Sequence, residues 1–311
     1  MLNGTRGATQ RQSRQELLGL RQEAERVSSR LPGLLVEADR VAMTVSQGVH
    51  GRRRTGVGET FWQFRYYQAG DAASDIDWRQ SARSRHLFVR EQEWEAAESV
   101  WIWCDLSRSM AYTSSRDATT KRDRAVILAL GLANLLIRGG ERIALFGSGE
   151  RARGGRHGLN TFAEHLTANI TADTNAAEHR SLPQEHDLPR SARLVLISDF
   201  LVEQEQLAKS LAEFSARSAS GCLLQIADPA EESFPFDGRV LFEGLEAEPT
   251  FLVNRSRSLR DGYRNLYQAH RRAISDLASR SGWRISHHRT DLSAEQGLLT
   301  LYQMLAPRAA A

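Results

Sequence analysis

The chain has 311 residues, and its 41 Lys and Arg against 38 Asp and Glu leave a formal net charge of +3. Apolar residues make up 41% and charged residues 25%, as in ordinary globular proteins, which excludes a collagen-like, disordered or disulfide-dense scaffold. The near balance of charge also argues against a concentrated basic face for nucleic acid. The arginines that could form such a face are Arg52, Arg53, Arg54, Arg255, Arg257 and Arg260.

Three features of the sequence predict a cytoplasmic protein without a membrane span. The longest nearly apolar stretch, 125–137, is interrupted by Asn134 and is shorter than the run of about 18 apolar residues that crosses a bilayer. The first residues are polar and lack the apolar core of a secretion signal. Cys104 and Cys222, the two cysteines, have no metal-binding or redox spacing, which suits a reducing compartment.

Composition changes along the chain predict four segments. Residues 1–30 are polar and charged, and fit an N-terminal helix or an arm equally well. Residues 31–98 are predicted to be rich in strands and loops, with a strand at 87–91. Residues 99–306 alternate between strand and helix patterns, and 307–311 form a tail.

The third segment has the pattern of a doubly wound α/β domain with a mostly parallel sheet. Compact apolar runs predict strands at 100–104, 142–146, 194–197, 222–227 and 283–287. Apolar residues at helical spacing predict helices at 125–136, 161–170, 204–217, 259–280 and 294–305. Strands separated by helices of this length predict parallel pairing with helices on both faces.

A glycine-rich turn follows the second of these strands. Gly147, Gly149 and Ala152 have the spacing of a dinucleotide-binding fingerprint, which requires a helix immediately afterwards. We expect that residues 153–158, with three glycines, do not open a helix. The turn is therefore predicted to lead into a short antiparallel strand instead.

Three predicted strands end in an aspartate, and these are Asp105, Asp199 and Asp228. Ligands of open parallel sheets bind at the carboxyl ends of the strands. Aspartate is also a good turn and cap residue, so loop structure is the alternative for each of them. We interpret Asp228 as structural or as support for a site, and Asp199 as part of one.

The first of these aspartates begins the pattern Asp105-x-Ser107-x-Ser109. Alternate side chains of an extended loop point the same way, so one carboxylate and two hydroxyls can converge there. Hard oxygen ligands without His or thiolate suit Mg²⁺, or another hard divalent cation, rather than zinc. The alternative is a cluster of turn and capping side chains.

Together with an upstream segment, this pattern resembles a known family. A strand that ends in Asp-x-Ser-x-Ser, and a later one that ends in Ile-Ser-Asp199, resemble the metal-ion-dependent adhesion site of von Willebrand factor type A-like domains. The upstream segment resembles the signature of domain-of-unknown-function family fifty-eight. The resemblance to this family extends over most of the chain. The signature residues in this sequence are Arg65, Tyr67, Gly70, Asp71, Asp77, Trp78 and Arg83.

The resemblance implies a von Willebrand type A-like fold behind a strand-rich segment, and an adaptor that works with a MoxR-type AAA+ ATPase on client proteins. It places Mg²⁺ at Asp105, Ser107, Ser109 and Asp199, with Thr161 as the nearest counterpart of a third-loop threonine. The sequence departs from the family pattern at two places. Family members usually carry arginine at the position of Ser74, and the third-loop threonine of adhesion sites has no clear counterpart here. Many relatives also carry N-terminal membrane helices, which are not expected in this chain. The signature segment is expected to pack on the sheet or to bind a partner.

The sequence predicts a non-enzymatic interaction module that binds a partner carboxylate through the metal. It holds no Walker A phosphate loop, no Gly-x-Ser-x-Gly elbow and no zinc-ligand spacing. The alternative is a metal-dependent hydrolase that uses the aspartates at the sheet edge. No histidine placed as a general base accompanies them, which disfavours that alternative.

Overall fold

A computed structural model describes residues 52–56, 60–68, 71, 74, 76–96, 99–115, 118–172, 181–183, 192–217, 219–244 and 250–305. The predicted N-terminal helix or arm and the 307–311 tail lie outside these residues. The described residues divide into an N-terminal unit, 52–96, and an α/β unit, 99–305.

The N-terminal unit is a three-stranded antiparallel sheet, which confirms the predicted strand-rich segment. Its strands are β1 (Arg52–Gly56), β2 (Thr60–Tyr66) and β3 (Phe88–Ala96), in the order β1-β3-β2. A short helix, α1 (Trp78–Ser81), lies between β2 and β3. The Ser81 hydroxyl accepts a hydrogen bond from the Phe88 amide at 2.9 Å, which fixes α1 against the start of β3.

The α/β unit alternates strands and helices. Its strands are β4 (Ser99–Cys104), β5 (Arg142–Leu145), β6 (Arg193–Ser198), β7 (Ser220–Ala227), β8 (Val240–Phe242), β9 (Phe251–Val253) and β10 (Arg284–Arg289). Its helices are α2 (Lys121–Arg138), α3 (Gly155–Ala172), α4 (Gln204–Ala216), α5 (Pro229–Ser233), α6 (Arg260–Arg280) and α7 (Ala294–Leu305). Two 3₁₀ turns, Arg108–Ala111 and Ser256–Leu259, complete it.

Five of these strands form one parallel sheet in the order β10-β7-β6-β4-β5, so the predicted doubly wound fold is confirmed. Renumbered along the sheet, the order is the 2-1-3-4-5 arrangement of flavodoxin-like folds. The chain leaves β4 toward one edge of the sheet and returns to the other side of β4 as β6. The topological switch point therefore lies between the carboxyl ends of β4 and β6.

Both faces of the sheet are covered by helices. Val100 and Ile102 of β4 pack in one core with α2, α3 and α7, whereas Trp101 packs on the opposite face with α4 and α6. This alternation explains why the strands read as continuous apolar runs, since both faces are buried.

Helix α2 contains the helix predicted at 125–136 and extends beyond it at both ends, from Lys121 to Arg138. The Thr120 hydroxyl accepts a hydrogen bond from the Asp123 amide at 3.0 Å and caps the first turn, and Gly139 terminates the helix. Its residues Leu128, Leu132 and Leu136 are fully buried, because α2 is packed against the sheet and against other helices.

The expectation that residues 153–158 cannot open a helix is wrong, because α3 begins at Gly155. The glycine turn does reverse the chain as predicted, and Arg153 pairs with Ile143 of β5 in an antiparallel bridge. The helix starts directly after this bridge. A Cβ atom on Gly158 would lie 2.3 Å from the Arg153 carbonyl oxygen, so the close approach of the first turn requires glycine.

None of the described helices combines the length and apolar character needed to cross a bilayer.

Candidate functional site

The loops that follow β4 and β6 meet at the switch point of the sheet. The Asp105 amide donates to the Ile197 carbonyl at 2.9 Å, which continues the β4–β6 pairing by one residue beyond the end of β4. Asp105 and Asp199 therefore leave neighbouring strands side by side. The structure thus brings together the two aspartates that the sequence predicts at this edge.

The Asp105 carboxylate organises both loops. It is fully buried, and one of its oxygens accepts from the Ser107 amide at 2.8 Å. Its second oxygen accepts from the Ser198 hydroxyl at 2.6 Å, and the Ser198 oxygen in turn accepts from the Phe200 amide at 2.9 Å. The hydrogen bonds to Asp105 thus come from neutral groups.

The hydroxyls of Ser107 and Ser109 lie beside this carboxylate, with their oxygens 3.1 Å apart. Ser107 precedes the 3₁₀ turn Arg108–Ala111, and Ser109 belongs to it. The hydroxyls therefore converge through a tight turn, whereas the sequence predicts an extended loop. We call Asp105, Ser107 and Ser109 the hydroxyl half of the site.

A second group of side chains lies on the other side, and of its members the sequence predicts only Asp199 as a site residue. The Lys121 ammonium group donates to an Asp199 carboxylate oxygen at 2.8 Å and to a Glu231 carboxylate oxygen at 2.5 Å. Only 1% of the Lys121 side chain is exposed. The second Asp199 oxygen accepts from the Leu201 amide at 3.1 Å. We call Asp199, Lys121 and Glu231 the ion-paired half.

Glu231 is fixed by a reciprocal cap on α5. Asp228 accepts from the Ala230 amide at 2.8 Å, while the second Glu231 oxygen accepts from the Asp228 amide at 2.8 Å. The other Asp228 oxygen accepts from the Ser114 amide at 3.0 Å and so anchors the loop that leads to α2. Asp228 therefore positions Glu231 and this loop.

The two halves differ in electrostatic balance. Burial lowers the pKa of Lys121, but the carboxylates of Asp199 and Glu231 outweigh that effect and raise it above its ordinary value. Burial raises the pKa of Asp105 to about 6, and the Asp199 charge adds to this. With three carboxylates and one ammonium group, the site carries two negative charges in excess when all four groups are ionised. One of these charges belongs to Asp105, which no Lys or Arg of the described residues contacts, and the other to the ion-paired half, where two carboxylates share one ammonium group.

An apolar groove with a volume of about 740 Å³ begins at this site. Its polar end is formed by Ser109, Tyr112, Lys121 and Glu231. Its walls come from the segment after α5, the β8–β9 hairpin and the first turns of α6. The large apolar side chains that line it are Leu201, Phe234, Phe236, Phe242, Phe251, Val253, Leu259, Tyr263 and Leu266. We call this feature the aromatic groove.

Contacts between rings and a basic side chain shape the wall of the groove. The ring centroids of Phe234 and Tyr263 are 4.7 Å apart, and those of Phe236 and Phe242 are 5.3 Å apart. The Arg260 guanidinium group donates to the carbonyl oxygens of Phe234 at 3.0 Å and Phe236 at 3.3 Å. The backbone of the aromatic segment is therefore tied to α6.

The other predicted site residues lie elsewhere. Thr161 lies inside α3, which packs against α2 and β5, and no described hydrogen bond links Thr161 to the hydroxyl half. A metal-binding role for Thr161 stays a prediction.

The signature residues belong to the N-terminal unit, where two of them make local contacts. Asp71 accepts from the Gln68 amide at 2.8 Å, and Asp77 caps α1 by accepting from the Gln80 amide at 2.8 Å.

Three of the remaining signature residues have exposed side chains. Tyr67, Trp78 and Arg83 are exposed, Trp78 to 64%. Arg65 pairs with Val89 in the β2–β3 register, and Gly70 lies outside the described residues. Partner binding and packing thus both stay predictions for this segment.

One signal in the sequence could have revealed the ion-paired half. Lysine occurs only at Lys121 and Lys209 among 41 basic residues, so each lysine position is unusual. Lys209 is exposed on α4, whereas Lys121 is buried between two carboxylates. No local pattern predicts the pairing with Glu231, which lies 110 residues away.

Residues 63–273 match the family described as "Protein of unknown function DUF58". The match covers most of the chain and includes both halves of the site. The chain belongs to this family. It is also 27% identical over 259 residues to uncharacterised proteins of Mycobacterium bovis (Mb1516) and Mycobacterium tuberculosis (Rv1480), with 79% of this chain and 80% of theirs covered.

Two solved structures resemble this DUF58 chain at low sequence identity. One is the conserved hypothetical protein BatB from Bacteroides thetaiotaomicron, with a TM-score of 0.37 and 11% identity. The other is an aerotolerance-related membrane protein from Bacteroides fragilis, with a TM-score of 0.37 and 12% identity. Each comparison covers 67% of this chain and 98% of the other.

Proposed function

We propose that this chain is a non-enzymatic protein-interaction module that binds a carboxylate of a partner protein through Mg²⁺ at the hydroxyl half. In this proposal it is an adaptor for a MoxR-type AAA+ ATPase that assembles or activates other proteins. The partner class follows from the family resemblance, and the site follows from the geometry at the switch point.

One observation carries the proposal. Asp105 is fully buried, no basic side chain of the described residues contacts its carboxylate, and it lies beside two hydroxyl oxygens only 3.1 Å apart. A buried charge without a partner is costly unless a cation accompanies it. An uncompensated carboxylate next to two uncharged oxygen donors therefore supports a cation site.

The donor set fits a hard divalent cation. Within the described residues, no three His, Cys, Asp or Glu side chains are arranged so that they could hold a metal ion. Any cation here would therefore depend on the hydroxyls of Ser107 and Ser109 together with the Asp105 carboxylate. Mg²⁺ suits such a set, because it prefers oxygen ligands, binds through one or two carboxylates and keeps several waters.

Other groups of the chain position the carboxylates of the site. The Ser107 amide and the Ser198 hydroxyl fix the orientation of the Asp105 carboxylate. Lys121 holds Asp199 in place by pairing with its carboxylate. A bound Mg²⁺ would supply a positive centre for the carboxylate of a partner.

Two measurements on the full chain test this proposal. Calorimetric titration with Mg²⁺ should give saturable binding that is lost when both hydroxyls are removed in the Ser107→Ala, Ser109→Ala double variant. Ser275→Ala removes a similar hydroxyl on α6, where it donates to the Arg271 carbonyl, and should bind Mg²⁺ as the unaltered chain does. Equal Mg²⁺ binding by the double variant would disprove the metal site.

The partner class is tested by affinity capture from the lysate of the native host, with the captured proteins identified by mass spectrometry. A MoxR-type ATPase should be retained by the unaltered chain in Mg²⁺, and lost in EDTA and with the double variant. If this ATPase is retained equally under all conditions, its contact surface lies elsewhere. If it is never retained, the adaptor role is wrong.

A further inference from the structure

The aromatic groove and the hydroxyl half share a wall. Ser109 contributes its hydroxyl to the hydroxyl half and also lines the groove, and Lys121 and Glu231 of the ion-paired half line the same end. A molecule that contacts a cation beside Ser109 therefore lies at the mouth of the groove.

The groove has the size and chemistry of a binding site for apolar groups. Its volume of about 740 Å³ lies within the range of about 300 to 1,000 Å³ found for ligand pockets, and aromatic side chains dominate its lining. Four large apolar side chains of its lining remain exposed, Leu201 to 48%, Phe251 to 62%, Leu259 to 47% and Leu266 to 73%. Contiguous exposed apolar surface of this kind marks an interaction site.

The charges along the aromatic groove determine how an occupant is oriented in it. Lys121 is already paired with two carboxylates, and Glu243 adds an acidic side chain to the lining. An acidic group deep in the groove would be repelled, whereas the same group beside Ser109 would meet the cation. The groove therefore suits an occupant with one carboxylate at the Ser109 end and an apolar body beyond it.

We infer that the aromatic groove binds an extended segment of a partner protein in which an acidic residue is followed within a few positions by a bulky apolar side chain. The carboxylate lies at the hydroxyl half, and the apolar side chain enters the groove between the β8–β9 hairpin and α6. This inference rests on the proposed function, because it names the segment that the same site recognises.

A peptide array probed with the labelled full chain tests the inference. Each acetylated peptide carries one glutamate in a glycine-serine background and, one to four residues after it, phenylalanine, leucine or serine. A second set has glutamine in place of glutamate. In Mg²⁺, glutamate peptides with phenylalanine or leucine should bind about tenfold or more tightly than those with serine, since burial of such a side chain stabilises a complex.

Two variants of exposed residues separate the groove from the metal. Leu266→Asp places a charge in the groove wall and should abolish the preference for phenylalanine and leucine. It should leave the dependence on glutamate and Mg²⁺ intact. Leu292→Asp is the matched control, because Leu292 is also exposed but lies between β10 and α7 and outside the groove lining. Phe251→Ser provides a second change in the groove and should act as Leu266→Asp does.

The outcomes distinguish the two claims. If glutamate and Mg²⁺ matter but the apolar residue does not, the groove inference is wrong while the proposed function stands. If the apolar preference persists in EDTA and with glutamine, the groove binds apolar segments independently and the metal-dependent function fails. Absence of binding to any peptide above the serine background would overturn the inference.

Discussion

The two halves of the site differ in the groups that accompany their carboxylate charges. The buried Asp199 and the partly buried Glu231 share the ammonium group of Lys121, whereas Asp105 is a buried carboxylate that has only hydroxyl and amide donors. The ion-paired half therefore contains a cation of its own, although two carboxylates share it. The hydroxyl half is incomplete, and the difference indicates where an external cation can act.

The largest effect is expected from Lys121→Met, which leaves two buried carboxylates without a cation. Breaking a buried ion pair from one side costs about 3–5 kcal/mol, and the free energy of unfolding measured in urea should fall by that order. Lys209→Met is the matched control, because the Lys209–Glu213 pair is long, at 3.8 Å, and exposed, so a change of about 0.5 kcal/mol or less is expected. Similar losses for both lysines would show that Lys121 is not the centre of the ion-paired half.

A buried ionisable group on β10, outside both halves, sharpens the comparison. Burial lowers the pKa of His288 to about 4, with Arg124 acting in the same direction and Asp291 opposing it. Its Nε2 atom is buried and has no hydrogen-bond partner among the described residues. This histidine is therefore kept neutral, in contrast to the paired charges of the ion-paired half.

The pH dependence follows from the sign of this shift. Between pH 6.5 and 4 the unfolded chain binds more protons at His288 than the folded chain does. The contribution of His288 therefore leaves the free energy of unfolding at its full value above pH 6.5 and lowers it as the pH falls toward 4. The loss approaches about 3 kcal/mol. Urea unfolding at neutral and acidic pH should show a loss that is smaller for His288→Gln than for the unaltered chain by about this amount. A loss remains in the variant, because burial also lowers the pKa of His287 to about 4. Parallel pH profiles would contradict the prediction.

Asp105→Asn should stabilise the chain at neutral pH in the absence of Mg²⁺. The raised pKa of Asp105 means that its ionised form opposes folding, by up to about 3 kcal/mol above pH 6. Asparagine keeps the shape and can still accept from the Ser107 amide. Thermal unfolding in EDTA would measure the gain, and a loss of stability would show that the Asp105 charge is balanced by a group not identified here. Residues that serve binding often lower the stability of the free protein, so replacing one of them often stabilises the fold and removes the function.

The smallest effect is expected from the cation itself. A ligand that binds only the folded chain stabilises it by about 1.4 kcal/mol at ten times its dissociation constant, so Mg²⁺ should raise the melting temperature by a few degrees. The rise should be absent for Asp105→Asn and unchanged for Lys209→Met. An equal rise in all variants would indicate non-specific stabilisation by salt.

Much of the fold could be predicted because its signals are local. Apolar runs such as Val100–Cys104, and helical spacing capped by Thr120 and Gly139, are decided by neighbours along the chain. The start of α3 could not be predicted, since the packing of Phe162 and Leu166 in the core outweighs the low helix propensity of its glycines. The β8–β9 hairpin was missed because strands of three residues give no periodic pattern.

The site likewise contains residues that are grouped in the sequence and residues that only the fold brings together. Asp105, Ser107 and Ser109 lie within five residues, and their grouping is visible in the sequence. The Lys121–Glu231 pair arises only when α5 is placed beside the start of α2, and the aromatic groove only when α6 and the hairpin enclose it. Contacts between segments this distant require knowledge of the topology, which composition and spacing do not contain.

The ion pairs of Lys121 also have a consequence for the order of folding. They join positions that are 78 and 110 residues apart in the sequence. Closing such long loops costs entropy, which the chain recovers only after most of the sheet has formed. We therefore expect these ion pairs to be absent from the folding transition state. Lys121→Met should then accelerate unfolding and leave the folding rate nearly unchanged, so that Lys121 determines how long a folded molecule survives rather than how fast it forms.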